Sequence, residues 1–123
     1  MTEDIQELGS FKHHSDHLVE WIPATDAEVD STTQLVFNHW LQLNTTKPFA
    51  LLFEWRDDNY FDFDGIRNFG NQHRLKAIAM IATSRFARLS AESFVEINTI
   101  AFPSRPMRIF NSRDSALTWL NTL

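Results

Sequence analysis

The stretch LKAIAMIATSRFARLSAESF, residues Leu75–Phe94, is the strongest indication of fold class in this sequence. Its first part, Leu75–Ala82, is apolar at nearly every position. A run without polar alternation is typical of a strand buried on both faces, which normally means a central parallel strand. Apolar residues then recur at helical spacing from Phe86 to Ile97, so we expect a helix that Thr83 or Ser84 caps. The stretch therefore predicts a strand, a tight turn and a helix.

A second continuously apolar run, FALLFEW at Phe49–Trp55, predicts a second central strand. We expect it to lie beside Leu75–Ala82 in the same direction, because alternating strands and helices form right-handed crossovers. The remaining predicted elements are a hairpin of strands at Leu8–His13 and His17–Ile22, a strand at Met107–Phe110, and helices at Thr32–Leu43, Asp64–Gln72 and after Asn111 or Ser112. The sequence thus predicts an α/β domain whose hairpin adds an antiparallel piece at one sheet edge.

The apolar residues of the two longer helices define the faces expected to pack on the sheet. In Thr32–Leu43 these residues are Leu35, Val36, His39, Trp40 and Leu43. In the helix after Ser84 they are Phe86, Leu89, Phe94, Val95 and Ile97. On this interpretation His39 is a hydrogen-bonded core histidine rather than a base.

Composition limits the classes of function. The 123 residues form one domain, with residues 1–6 expected to be frayed, and carry a net charge of −5, which argues against nucleic-acid binding. The chain has no cysteine, which excludes disulfides and thiolate chemistry and fits a reducing compartment. We find neither a signal peptide nor a membrane span, so we expect a cytoplasmic protein.

Four segments together resemble a known family. They are KAIAMIATSRFARL at residues 76–89, Ala101–Pro103, Met107–Phe110 and Ala116–Leu120. The pattern is similar to the uncharacterised bacterial STAS-like branch of the superfamily that includes the anti-sigma factor antagonists. The resemblance implies a mixed sheet of four or five strands with about four helices mainly on one side. It also implies binding of a protein or small ligand rather than catalysis.

The signalling members of that superfamily carry a phosphorylatable serine in a strand-to-helix turn, roughly Asp-Ser-X-Gly. The matching residues here are Asp62, Phe63, Asp64 and Gly65. Phe63 occupies the serine position, and a phenyl ring has no hydroxyl to phosphorylate. The alignment therefore implies a module without the serine switch.

Ser84, Arg85 and Arg88 form the sharpest candidate site. Free amides and the positive dipole at a helix N-terminus favour an anion, and open α/β sheets bind ligands at the carboxyl ends of their strands. Arg85 and Arg88 are one turn apart, so both can face one pocket. The alternative is a serine cap with two solvated or salt-bridged arginines.

Three other groups of residues give weaker indications of a functional site. His13, His14 and His17 could meet a metal across the hairpin, but no further ligand has a recognised spacing, and a polar turn is the preferred interpretation. The carboxylates at Asp57–Asp64 lack the spacing of a calcium loop. One aromatic set exceeds what one sheet face needs and fills the core or lines a pocket or dimer surface. Its members are Trp40, Phe49, Phe53, Trp55, Phe61, Phe63, Phe86 and Phe94.

We therefore predict a non-enzymatic binding or regulatory module, with no cofactor and no metal, because no catalytic motif is present. It would act through a protein interface around the turns at Arg56–Gly65 and Thr83–Arg88, with a partner protein or a second copy. The alternative is a carrier or sensor of a small apolar, anionic ligand. A closed aromatic core would favour the protein-interface hypothesis. An enclosed cavity of several hundred cubic ångströms, the usual size of a ligand site, would favour the ligand-carrier hypothesis.

Overall fold

The computed structural model describes residues 2–5 and 8–123. Eight strands and four helices follow one another in this part of the chain. In chain order they are β1 (Thr2–Ile5), β2 (Gly9–Ser15), β3 (Leu18–Pro23), β4 (Glu28–Val29), α1 (Thr33–Asn44), β5 (Phe49–Glu54), β6 (Tyr60–Phe61), α2 (Phe63–Asn68), β7 (Leu75–Ile81), α3 (Arg85–Ala101), β8 (Met107–Phe110) and α4 (Arg113–Leu120).

The main sheet has the strand order β1-β2-β3-β5-β7-β8. The pairs β3–β5, β5–β7 and β7–β8 are parallel, whereas β1–β2 and β2–β3 are antiparallel. This confirms the α/β class, the mostly parallel sheet and the side-by-side direction of the two apolar runs. The sixth strand of this sheet is Thr2–Ile5, which pairs with β2. The prediction that residues 1–6 are frayed is therefore wrong for these four residues, and Met1 and Gln6 lie outside the described residues.

The larger core lies between one sheet face and helices α1, α2 and α3. Alternate residues of the central strands, such as Leu51 and Phe53, point into it. Its rings pack closely: the centroids of Phe37 and Phe69 are 4.4 Å apart, and five other rings surround Trp21. Large rings that interdigitate in this way fill the space between helix and sheet without a ligand.

The opposite sheet face is covered by α4. Leu52, Ala79 and Ile81 pack there against Phe110 and Ala116. Three helices on one face and one on the other agree with the expected packing mainly on one side. Because both faces are covered, the central strands β5 and β7 are apolar at successive positions, as their sequences indicate.

The predicted face of α1 is wrong for four of its five residues; only Trp40 is buried as expected. Leu35 and Leu43 are 63% and 68% exposed, and Val36 and His39 are also exposed. The helix buries Gln34, Phe37, Trp40 and Leu41 instead. Gln34 can be buried because its side-chain amide donates to the Ser31 carbonyl and accepts from the Asn38 amide.

Helix α3 shows a related departure, because its buried face consists of Ala87, Ala91, Phe94 and Asn98. Small alanines allow the helix to approach the sheet closely, and Phe86 and Leu89 are left exposed. The helix also continues to Ala101, beyond the predicted end before Asn98. Helix α2 ends at Asn68 rather than Gln72, and Gly70 follows it with φ of +69°, a conformation that glycine adopts without strain.

A short second sheet pairs β4 with β6, and the sequence alone did not predict it. It carries the chain from β5 toward α2. Among the described residues, none of the helices combines the length and apolar character that crossing a membrane requires.

Candidate functional site

The two turns predicted to form a site do meet, at the carboxyl ends of β5 and β7. They form a cleft of about 470 Å³ that is open to solvent, which we call the β5–α3 cleft. Its lining residues are Trp55, Asp57, Asp58, Asn59, Tyr60, Phe61, Ile66, Phe86, Leu89, Ser90 and Ser93. The adjacent parallel strands β5 and β7 end at the same sheet edge, so the loop after β5 and the start of α3 are brought together there.

Ser84 joins the two walls of this cleft. It is the N-cap of α3, where its hydroxyl oxygen accepts a hydrogen bond from the Ala87 amide at 3.0 Å. The same hydroxyl donates to the carboxylate of Asp57 in the loop after β5. The predicted cap is thus confirmed, and its hydroxyl is occupied by a helix amide and a carboxylate from the neighbouring loop.

Arg85 and Arg88 are both exposed on the first turns of α3. The Nε of Arg88 lies 3.8 Å from a carboxylate oxygen of Glu92, which is one turn further along the helix. Among the described residues that line the β5–α3 cleft, neither arginine appears. The arginines therefore flank the cleft as solvated charges and do not converge inside it.

The segment from Asp62 to Gly65 has mainly an architectural role at the start of α2. Asp62 caps the helix, and its carboxylate accepts from the Gly65 amide at 2.7 Å. Gly65 is packed so closely that a Cβ there would lie 2.0 Å from the Val29 carbonyl oxygen. Phe63, at the position of the expected serine, is 60% exposed, and Asp64 is also exposed. The turn holds α2 in place and presents a phenyl ring to solvent.

Three large apolar side chains form the rim of the cleft. Tyr60, Phe86 and Leu89 are 59%, 61% and 56% exposed. Sequence reasoning missed their role, since Phe86 and Leu89 were assigned to the buried face of α3. The signal that could have revealed it is the alternative face with Ala87 and Ala91, whose small side chains suit close packing on a sheet.

Two exposed carboxylates, those of Asp57 and Asp58, line the cleft. The Asp58 carboxylate accepts from the backbone amide of Asp26 at 2.8 Å and lies 3.7 Å from Arg56. The Asp26 amide is the main cause that lowers the pKa of Asp58 below its usual value. The hydrogen bond from the Asp26 amide thus favours the ionised form of Asp58 beside the apolar rim, and the flanking Arg85 and Arg88 carry the opposite charge.

The aromatic set divides between core and surface. Trp40, Phe49, Phe53, Trp55 and Phe94 are buried, Phe61 is half-buried, and Phe63 and Phe86 are exposed. Phe53 packs against Trp55 and Phe94, and Trp55 stacks on Phe61 with ring centroids 4.1 Å apart. These rings fill the core, whereas the exposed Phe86 lines the β5–α3 cleft.

The histidines of the hairpin lie in different surroundings. The His13 ring packs 5.6 Å from that of Trp40, whereas His14 Nε2 is 2.7 Å from a carboxylate oxygen of Glu20. His17 Nδ1 is 3.0 Å from the carbonyl oxygen of Pro48. Within residues 2–5 and 8–123, no three histidine or acidic side chains come together as a metal site would need.

A second cleft, of about 400 Å³, lies at the opposite end of β7. His73, Lys76 and Arg105 line it beside an apolar wall of Phe102 and Pro103. The Arg105 guanidinium donates to the Gly70 carbonyl at 2.7 Å and to the Asn98 side-chain oxygen at 2.9 Å, and lies over the Phe102 ring. Burial lowers the pKa of Arg105 to about 10, so the side chain stays charged at neutral pH. We call this the β7 amino-end cleft.

Comparison with known proteins identifies a family. The model of a family described as Domain of unknown function (DUF7793) matches residues 19–123. The chain belongs to this family, because the match covers most of its length and contains α1 and both walls of the β5–α3 cleft. No curated protein and no solved structure matches the chain.

Proposed function

We propose that this member of the DUF7793 family is a STAS-like binding module that acts through a protein interface at the β5–α3 cleft, without catalysis. The observation that carries the proposal is the exposed apolar rim of Tyr60, Phe86 and Leu89 at the sheet edge where α/β domains bind their partners. Large apolar side chains that are grouped and exposed are a mark of association surfaces.

The charges around the rim indicate the chemistry of the partner. Arg85 and Arg88 flank one side, whereas the exposed Asp57 and Asp58 line the cleft itself. A partner segment with apolar anchor residues and acids facing the two arginines would complement this arrangement. The closed aromatic core supports a surface interaction over a buried ligand, because its rings are packed against one another.

Regulation by serine phosphorylation at Asp62–Gly65 is not part of the proposal. The serine position has a phenyl ring. Asp62 caps α2, and Gly65 is in close contact with β4. Phe63 instead presents an exposed phenyl ring at the start of α2. The proposed module would therefore be controlled by the availability of its partner.

Photo-crosslinking in cells tests this proposal. A crosslinking amino acid placed at Phe86 or Leu89 should capture one defined protein, and the same group at Ile100 should not. Ile100 is the matched control because it is 80% exposed on the same helix but does not line the cleft.

The captured protein is then measured with purified variants. Phe86→Asp should weaken its binding at least tenfold and leave stability almost unchanged, and Arg85→Ala with Arg88→Ala should weaken it less. Ile100→Asp should bind as the wild type does. Equal affinity of the wild type and Phe86→Asp would refute the interface.

A second candidate, a carrier or sensor of a small apolar, anionic ligand, is favoured by the β7 amino-end cleft. There three basic side chains adjoin an apolar wall. Native mass spectrometry of the protein purified from cells would reveal a retained ligand, which Lys76→Ala with His73→Ala should release. A single apo mass, together with no thermal shift on adding aromatic carboxylates or phosphates, would remove this candidate.

A further inference from the structure

Helix α1 has an unusual composition for a helix at the surface. Its 12 residues, TQLVFNHWLQLN, contain no aspartate, glutamate, lysine or arginine, in a chain in which 22% of residues are charged. Leu35, Val36, His39 and Leu43 are exposed nonetheless. A solvated helix normally carries charges on its outer face, so this face lacks the usual features of a surface left in water.

The exposed residues form a ridge. Leu35, His39 and Leu43 are spaced by four and therefore follow one row along the helix. Beside this row runs a groove of about 300 Å³ between α1 and the end of α2. Apart from Leu35 and His39 of the ridge, its lining residues are all amides: Gln34, Asn38, Gln42, Asn68 and Asn71. A ridge and a groove thus lie next to each other on one surface, and the residues that form them include no aspartate, glutamate, lysine or arginine.

We propose that this surface, which we call the α1 face, is where two copies of the chain associate. Across a twofold axis the same patch of each copy faces the other, so a charged group in that patch lies near the identical charge of the second copy. Two chains of net charge −5 repel, and a helix face without carboxylates avoids adding close repulsion to that. The ridge of each copy can enter the groove of the other, which is the ridges-into-grooves packing of helices.

The dimensions of the helix predict a weak dimer. Twelve residues span about 18 Å, and a helix with its side chains is about 10 Å wide. The area covered on each copy is then a few hundred Å², below the roughly 800 Å² per partner of a stable complex. We therefore expect association in the micromolar range, visible as a mass that depends on concentration.

Sedimentation velocity of the full chain tests the assignment between about 1 μM and about 1 mM, the range in which a complex of this size assembles. The wild-type mass should rise from 14.3 kDa toward twice that value. Leu35→Glu and Leu43→Glu should remain monomeric and folded, because both positions are already exposed. Ile100→Glu, which adds the same charge at an exposed apolar residue of α3, should dimerise like the wild type.

A wild type that stays monomeric at all these concentrations would overturn the proposal, and so would dimers of Leu35→Glu equal to those of the wild type. Because the chain has no cysteine, His39→Cys provides an independent test. A short bismaleimide should join two copies through His39→Cys and should not join them through Ile100→Cys. Equal crosslinking at both positions would contradict the ridge-to-groove geometry.

The dimer and the partner interface are separable. Phe86→Asp should dimerise normally, and Leu35→Glu should still bind the partner captured at the β5–α3 cleft. Loss of the dimer in Phe86→Asp would place self-association at the cleft and overturn the assignment to α1.

Discussion

The ion pair between Glu20 and Arg113 offers the sharpest test of how α4 is held on the sheet. Glu20 in β3 is only 8% exposed, and the Arg113 guanidinium donates to both of its carboxylate oxygens, at 2.5 and 2.7 Å. His14 Nε2 also lies 2.7 Å from one of these oxygens. The contact links the start of α4 to a strand 93 positions away in the chain.

The sign of the pH dependence follows from the pKa of Glu20. Burial alone would raise this pKa, but the hydrogen bonds and charges of Arg113 and His14 outweigh burial, so the pKa in the folded protein is lowered. A carboxyl group with a lowered folded pKa stabilises the protein above its unfolded pKa, near 4.5. That contribution disappears as the pH falls through the lower folded value.

We expect Glu20→Gln, which keeps the shape and removes the charge, to reduce the free energy of unfolding by about 1–2 kcal/mol at pH 7. A hydrogen bond to a charged group contributes about 1.5–3 kcal/mol when it is buried. The lower value applies here because the Arg113 side chain is 46% exposed, and water screens the pair and solvates the freed guanidinium. Below the folded pKa the difference between wild type and variant should shrink toward zero.

Urea unfolding followed by tryptophan fluorescence, at pH 7 and through a series down to about pH 3, measures both effects. Glu96→Gln, an exposed change of the same kind on α3, is the control and should shift stability by less than about 0.5 kcal/mol. Equal midpoints for wild type and Glu20→Gln at pH 7 would show that the pair is too solvated to matter. A difference that persists unchanged to pH 3 would refute the linkage argument.

Two further predictions concern the anchoring of α2 and use the same urea assay. The buried Asn98 side chain donates to the carbonyls that end α2, so Asn98→Ala should lower the free energy of unfolding by about 2–4 kcal/mol. The change at the exposed neighbour, Thr99→Ala, should lower it by under about 1 kcal/mol, and similar losses for both variants would refute the buried role of Asn98. Gly65→Ala should lower the free energy of unfolding by about 3 kcal/mol, because the added Cβ would clash with the Val29 carbonyl. The adjacent Asp64→Ala should stay within about 1 kcal/mol of the wild type, and a Gly65→Ala variant as stable as the wild type would contradict the observed approach of α2 to β4.

The candidate site could be predicted only in part. That the turns after β5 and β7 adjoin follows from two apolar runs being parallel neighbours, which their composition indicates. Ser84 as a cap follows from its position before the helical pattern. The rim of Tyr60, Phe86 and Leu89 could not be predicted, because hydrophobicity alone does not tell an outward leucine from a buried one.

The order and type of the main elements follow from local patterns in the residues. The runs at Phe49–Glu54 and Leu75–Ile81 are apolar at successive positions, and only a strand covered on both faces suits such a pattern in a domain of this size. The strand Met107–Phe110 and the cap at Ser112 also follow from local residue preferences. These features depend on neighbours close in the chain, which the sequence displays directly.

Which faces of α1 and α3 are buried becomes clear only from the folded chain. Gln34 and Asn98 lie inside because their amides are hydrogen-bonded to backbone or side-chain groups there, Asn98 to carbonyls about thirty positions away in the chain. Ala87 and Ala91 are buried together with Phe94, although larger apolar residues of the same helix are exposed. Both outcomes depend on atoms brought near by folding, so the exposed Leu35, Leu43 and Phe86, on which the two proposed interfaces depend, become visible only once the chain is folded.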